Sequence, residues 1–107
     1  KISGLCLNCS QFEDISKGLD ILKRYDLPYG ALPNNFQSVK PLKLGMSVDN
    51  IKKRNDILIE DFVNYSNIWL KKGCTILGGC CETTPDYING LNQFLMKNKY
   101  NKVNFFN

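Results

Sequence analysis

The sequence predicts an α/β protein built on a parallel sheet, and three observations carry that expectation. Short apolar runs alternate with helix-period segments in the order strand, helix, strand, loop and helix, strand, helix, which makes three β/α units. The run Thr75-Ile76-Leu77 passes through Gly78-Gly79-Cys80-Cys81 into helix-starting residues, so two cysteines sit in a strand-to-helix turn. In parallel α/β proteins such turns lie at the carboxyl ends of the strands, where chemistry is usually found. Three parallel strands also leave both sheet edges open, whereas a complete barrel of this kind has eight units and typically ~250 residues. A chain of 107 residues is therefore expected to be part of something larger.

The first strand is expected over residues 2–7 and ends at Asn8-Cys9-Ser10. A helix follows, with Phe12, Ile15, Leu19 and Leu22 at helical spacing. Glu13 and Asp14 lie near its start and Lys23-Arg24 near its end, as the helix dipole prefers. The second strand is expected over residues 27–32. Pro28 lies at its start, where a missing donor is tolerated, and the turn residues Pro33-Asn34-Asn35 close it. Residues 36 to about 60 are the least regular part, with a short helix expected near Val48–Arg54. From Asp61 the helical signal returns: Phe62, Tyr65, Trp69 and Leu70 share a face, and Gly73 is placed as a C-terminal cap. The third strand is expected over residues 75–79. The two glycines of the cysteine turn supply backbone conformations that other residues resist. Thr83 or Thr84 can then cap the last helix, with Pro85 and Asp86 in its first turn and Ile88, Leu91 and Leu95 on one side. One domain is expected over residues 1–97, and residues 98–107 form a tail carrying Phe105-Phe106.

Composition narrows the classes. The chain is 43% hydrophobic and 22% charged, in the range of a globular piece of one domain or less. Its formal charge of +4 is spread out, and Lys52-Lys53-Arg54 and Lys71-Lys72 read as solvated helix faces rather than a nucleic-acid footprint. No run approaches the ~20 apolar residues of a membrane span. No signal-peptide pattern is present, and residue 1 is Lys rather than Met, so the start of the gene product is expected upstream. Five cysteines, an odd count without secretory features, point to a reducing, cytoplasmic setting rather than a disulfide framework. With no histidine, any zinc site must be built from thiolates, with or without a carboxylate. Adjacent Cys80 and Cys81 in a sharply bent loop, joined by one further thiolate, would make a three-sulfur site with its fourth position open.

These residues point to a family. The stretch Trp69 to Ile88, reading Trp-Leu-Lys-Lys-Gly-Cys-Thr-Ile-Leu-Gly-Gly-Cys-Cys-Glu-Thr-Thr-Pro-Asp-Tyr-Ile, resembles the C-terminal signature of the homocysteine S-methyltransferases. Leu7-Asn8-Cys9-Ser10 is similar to that family's Gly-x-Asn-Cys motif, and Pro28 to Asn34 resembles the segment with its Pro-Asn or Ala-Asn pair. The three motifs fall in the family's order between about residues 2 and 96. Two positions depart from the pattern: Cys6 stands where the family has glycine, and Leu32 where many members have an aromatic residue.

The resemblance implies that the chain forms the C-terminal three β/α units of a zinc-containing (β/α)8 TIM barrel, incomplete without the barrel's N-terminal part. It implies Cys9, Cys80 and Cys81 as ligands of Zn²⁺. Asn8, Asn34 and Glu82 are candidate substrate-binding residues, and Glu82 could equally support a ligand or simply place a favourable charge near the last helix's N-terminus. The implied partners are homocysteine and a methyl donor, which could be S-methylmethionine, S-adenosylmethionine, betaine or methylfolate. Three thiolates leave the open position of catalytic rather than structural zinc, and a substrate thiol entering it would lose its proton. Plainer readings stand beside these. Cys6 and Cys74 are expected to be small buried hydrophobes, Trp69 to be core, and Asn8 and Asn34 to satisfy turn backbone. Cys80-Cys81 could instead form a vicinal disulfide. A small metal or redox module would need a fourth ligand from Cys6 or Cys74, and an inactive barrel remnant needs no site at all.

Overall fold

The computed structural model describes residues 1–37 and 52–101. Three β/α pairs follow one another as expected: β1 (Leu5–Ser10), α1 (Phe12–Leu22), β2 (Tyr29–Pro33), α2 (Ile59–Lys71), β3 (Ile76–Leu77) and α3 (Pro85–Lys97). The strands form one parallel sheet in the order β1-β2-β3. Because all three run the same way, their carboxyl ends and the loops that follow lie along one side of the sheet.

The strand limits differ from those expected, and the ladder explains why. β1 pairs with β2 from Leu5↔Tyr29 through Asn8↔Leu32 and, beyond a bulge, Ser10↔Pro33. Hydrogen bonding thus carries the strand past its apolar residues into Asn8, Cys9 and Ser10, where apolar patterning gives no signal. β3 is shorter than expected, pairing only through Gly30↔Ile76 and Ala31↔Leu77. Lys53, expected in a short helix, instead forms an isolated antiparallel bridge with Phe36. The rest of that segment before Lys52, and Phe105-Phe106, lie outside the described residues.

The core forms where the helices' apolar faces meet the central strand. Phe12, Ile15 and Leu19 of α1, Phe62 and Trp69 of α2, and Tyr87 and Leu91 of α3 are buried with Tyr29 and Ala31 of β2. Phe12 stacks on Trp69 at 5.9 Å between ring centroids and meets Phe62 edge-on. The indole N–H of Trp69 donates to Ser16 Oγ at 2.8 Å, so the ring is buried without an orphaned donor. Trp69 is core, as expected.

α2 starts two residues before Asp61. That carboxylate accepts the backbone N–H of Leu58 at 2.8 Å, so Asp61 acts as an N-terminal cap from inside the first turn. Gly73 closes the same helix with φ 108. Its N–H donates to Leu70 O and the Cys74 N–H to Trp69 O, the paired bonds of a Schellman cap. Pro85 opens α3 as expected, but Thr84 at the cap makes no side-chain bond to the helix.

Candidate metal centre

The exit of β2 ties the two cysteine-bearing segments together. The Cys80 N–H donates to Pro33 O at 2.8 Å, and the Asn35 N–H donates to Cys81 O at 2.8 Å. On the other side the Asn34 N–H donates to Ser10 O at 2.9 Å, and the Asn34 side chain donates through Nδ2 to Cys9 O at 2.7 Å. Three consecutive residues of the central strand's end therefore fix the ends of both neighbours. Cys9 is the extra residue of the β1 bulge, in the left-handed region with φ 52. A bulge of this kind re-aims a side chain. Here it sends the Cys9 sulfur across the end of β2.

In the cysteine turn the Thr83 N–H and Oγ1 both donate to Cys80 O, at 3.3 and 2.7 Å. The left-handed residue is Glu82, with φ 58, and not Gly78 or Gly79, neither of which has positive φ. The reason for Gly79 is close approach: a Cβ there would collide with Thr83 Oγ1 and lie 2.7 Å from Thr83 Cβ. Gly79 lets the buried threonine fold back beneath the turn.

The result brings Cys9, Cys80 and Cys81 together, each half-buried, with all three sulfurs within 4.8 Å of one another. Cys9 Sγ lies 3.6 Å from Cys81 Sγ, and Cys80 Sγ lies 3.9 Å from Cys81 Sγ. Tetrahedral zinc with Zn–S bonds of ~2.3 Å requires sulfurs about 3.8 Å apart. The spacing fits, and Cys80 and Cys81 are separate thiols rather than a vicinal disulfide. Among the described residues this is the one cluster of three or more cysteine or carboxylate groups spaced to hold a metal ion.

Three sulfurs in contact cannot all carry charge without a cation. Burial alone would raise the Cys9 thiol, but hydrogen bonds from Cys80, Cys81 and Asn34 outweigh it and leave its pKa lowered. Burial, followed by the contact with Cys9, pushes Cys80 up to about 12. Cys81 is raised, first by its hydrogen bond with Cys9 and then by burial. The three thiols titrate as one coupled group, and a divalent cation would be needed to ionise all three.

The other candidate residues fall in different places. Asn34 is 1% exposed, and its Oδ1 accepts Gln11 Nε2 and the Phe36 N–H, both at 3.1 Å. It satisfies turn backbone as the plainer reading expects, and one of the groups it satisfies is the Cys9 carbonyl. Asn8 and Glu82 are exposed neighbours of the cysteines. Cys74 is buried, with its thiol donating to Ile76 O, and burial pushes it up to about 11. Cys6 is exposed rather than buried, because it alternates with the inward-facing Leu5 and Leu7 on β1. Neither joins the cluster.

Two residues near the site carried no signal in the sequence. Gln11, between Ser10 and α1, donates to Asn34 and to Phe36 O. Arg54 belongs to a basic run expected on a solvated helix face, yet its guanidinium side chain is only 12% exposed. It pairs with Glu13 at 2.8 Å and Asp56 at 2.7 Å, and donates to Gln11 Oε1 at 2.9 Å. A partner 43 residues away is invisible to local pattern.

Comparison with known proteins identifies the family. Residues 1–95 match the family model described as homocysteine S-methyltransferase. A selenocysteine methyltransferase of Astragalus bisulcatus is 31% identical over 100 residues, 89% of this chain and 27% of that protein. Homocysteine S-methyltransferase 2 of Zea mays is 32% identical over 102 residues, 91% of this chain and 27% of its own. A shorter match, 42% over 40 residues, links the chain to homocysteine S-methyltransferase 2 of Arabidopsis thaliana, covering 37% of this chain and 12% of that protein. No solved structure matches significantly. The chain spans about a quarter of the length of the first of these relatives. With a match that runs from the first strand into the last helix and takes in every cysteine of the cluster, the chain belongs to the homocysteine S-methyltransferase family.

Proposed function

We propose that this chain supplies the zinc site of a homocysteine S-methyltransferase, with Cys9, Cys80 and Cys81 as the ligands. On this reading it forms the last three β/α units of a (β/α)8 barrel whose other strands come from elsewhere in the protein. One observation carries the proposal: three sulfurs, spaced for one tetrahedral ion, converge at the carboxyl end of a parallel sheet. Zinc bound there would supply an open coordination position in which a substrate thiol ionises at neutral pH.

The chain's own residues have defined tasks in that reaction. Asn34 and the β2 exit hold the three sulfurs in register before substrate arrives, so orientation is set in advance. Asn8 and Glu82 are exposed next to Cys9 and Cys81 in the chain, which leaves them free to contact the amino-acid end of homocysteine on this reading. The substrate sulfur forms a bond to the methyl carbon of the donor as the donor's bond to that methyl breaks, giving methionine and the demethylated donor. The thioether product would be a poor ligand for an ion held by Cys9, Cys80 and Cys81, which would favour its release. The donor belongs to the sulfonium, betaine or methylfolate class. A structural four-thiolate site is disfavoured, because Cys6 and Cys74 lie outside the cluster.

Cys9→Ser, Cys80→Ser and Cys81→Ser in the complete protein test the ligand set. Each is expected to lose most bound zinc, measured by metal analysis, together with methyl transfer to homocysteine, since a hydroxyl is a far weaker ligand than a thiolate. Full zinc content and turnover in all three variants would overturn the proposal.

A further inference from the structure

We propose that Gln11 is a positioning residue for the Cys9 sulfur, acting through Asn34 and fixed in its own orientation by Arg54. The inference rests on Cys9 being a metal ligand and concerns what holds it in place. Arg54 can only donate, so the Gln11 amide must turn its oxygen toward Arg54 Nη1, 2.9 Å away. That leaves Gln11 Nε2 facing Asn34 Oδ1 at 3.1 Å and Phe36 O at 2.8 Å. The Asn34 oxygen is thus committed to Gln11 and to the Phe36 N–H. Its nitrogen must then point at Cys9 O, 2.7 Å away.

The polarity of one guanidinium therefore propagates through two amides to the carbonyl of a residue held at φ 52. Glu13 and Asp56 hold the far side of Arg54, so the start of the relay is itself fixed. Asn34 is 1% exposed, and water does not compete with the last link. Metal-ligand partners of this kind are worth typically 10–100-fold in metal affinity when removed.

Two substitutions at Gln11 separate a relay from simple packing. Gln11→Glu keeps the shape and adds a charge that Arg54 accepts, but it sets an acceptor against Asn34 Oδ1. The Phe36 N–H opposes a flip of Asn34, so the repulsion displaces the amide and stretches its bond to Cys9 O. Gln11→Met removes the donor without creating that conflict, because the Phe36 N–H still orients Asn34. The relay therefore predicts that Glu is worse than Met, and packing predicts the reverse.

The measurement is Zn²⁺ affinity of the complete metal-stripped protein by chelator competition, with Co²⁺ absorption to count thiolate ligands. Thermal unfolding without metal checks the fold, and Cys9→Ser serves as reference. Gln11→Glu is expected to bind Zn²⁺ about 10–100-fold more weakly, with Gln11→Met losing less and both unfolding near wild type. Unchanged affinity in both variants, or a larger loss for Met than for Glu, would overturn the relay while the zinc reading stands. If Gln11→Glu fails to fold, unchanged affinity in Gln11→Met overturns the relay by itself. Full Zn²⁺ affinity in Cys9→Ser would overturn the zinc reading and the relay together.

Discussion

At the scale of single residues, the site depends on backbone that ordinary side chains resist. Cys9 and Glu82 both occupy the left-handed region, which costs a residue with a Cβ roughly 1–2 kcal/mol. Such strain concentrates at functional positions when the surroundings over-determine it. At Cys9 they do, through the bonds from Asn34 to Cys9 O and Ser10 O. Cys80 and Cys81 were legible in the sequence as an adjacent pair in a glycine turn, whereas Cys9 was singled out only by the resemblance to a family motif. Which residues would bend the chain was not legible, since the glycines are needed for clearance and the left-handed angles fall on Cys9 and Glu82. The two remaining cysteines give a contrast. Cys6→Ser, at an exposed position, is expected to change stability by less than about 0.5 kcal/mol. Cys74→Ser places a hydroxyl in the core beside Ile76 O and is expected to cost about 1–3 kcal/mol in denaturant unfolding. Both should keep full metal content. Loss of zinc in Cys74→Ser together with its retention in Cys9→Ser would show the ligand set to be wrong.

At the scale of elements, the helices followed their periodicity, and the strands formed where expected with limits that patterning did not set. Phe12, Ile15 and Leu19 are buried on α1 as spaced, while β1 runs through Asn8 and Cys9 because its partner, not its composition, defines it. The segment after Phe36 read as irregular for a physical reason. Its described part is held by distant partners, with Arg54 on α1 and Ile57 O accepting from Tyr87 Oη at 2.7 Å. Helix ends offer a direct test of how much backbone geometry contributes. α3 ends in the same cap as α2: the Lys99 N–H donates to Met96 O, and the Tyr100 N–H donates to Leu95 O. Here, however, the left-handed residue is Lys99, with φ 60. Lys99→Gly is expected to raise stability by about 1 kcal/mol by relieving that angle. Gly73→Ala should do the opposite and cost at least as much. It takes φ 108, and its new Cβ would sit 2.5 Å from Tyr29 Oη, which donates to Lys72 O. Thermal unfolding of the two variants checks both signs.

At the scale of the whole molecule, two long-range features set how the described parts hold together. The first is the Arg54 clasp. Hydrogen bonds from Arg54 hold the carboxyls of Glu13 and Asp56 below the usual carboxylate range. A folded pKa lower than the unfolded one contributes stability that is complete above the unfolded value of 4.5 for Glu13. That contribution is lost as pH falls through the folded value. Glu13 is half-exposed, so it should amount to less than about 1 kcal/mol. Stability is expected to hold from neutrality to about pH 5 and then fall, with the acid limb shallower in Arg54→Leu; identical acid limbs would show that the clasp contributes nothing.

The second feature is the sheet itself. Parallel sheets are ordinarily covered on both faces and closed or extended at their edges. In this one the described residues leave the outer side of β1 and the far side of β3 without a partner strand. β3 pairs with β2 through only two residues, and the last unit is further secured by the packing of α3 on α2 and by backbone bonds from Thr75 to Tyr29 O, Cys80 to Pro33 O and Asn35 to Cys81 O. Open edges of this kind template association with other chains. A polypeptide limited to residues 1–107 is therefore expected to self-associate or to unfold over a broad range. Zinc should narrow its transition, because the ion would join the end of β1 to the turn after β3 across the weakest pairing. Light scattering and thermal unfolding, each with and without Zn²⁺, test this. A monodisperse monomer with one sharp transition, unmoved by Zn²⁺, would mean that three units suffice as a fold and that the cysteine cluster does not bind the strands together. Association that added Zn²⁺ suppresses would place the cluster's contribution in the cohesion of the sheet as well as in its chemistry.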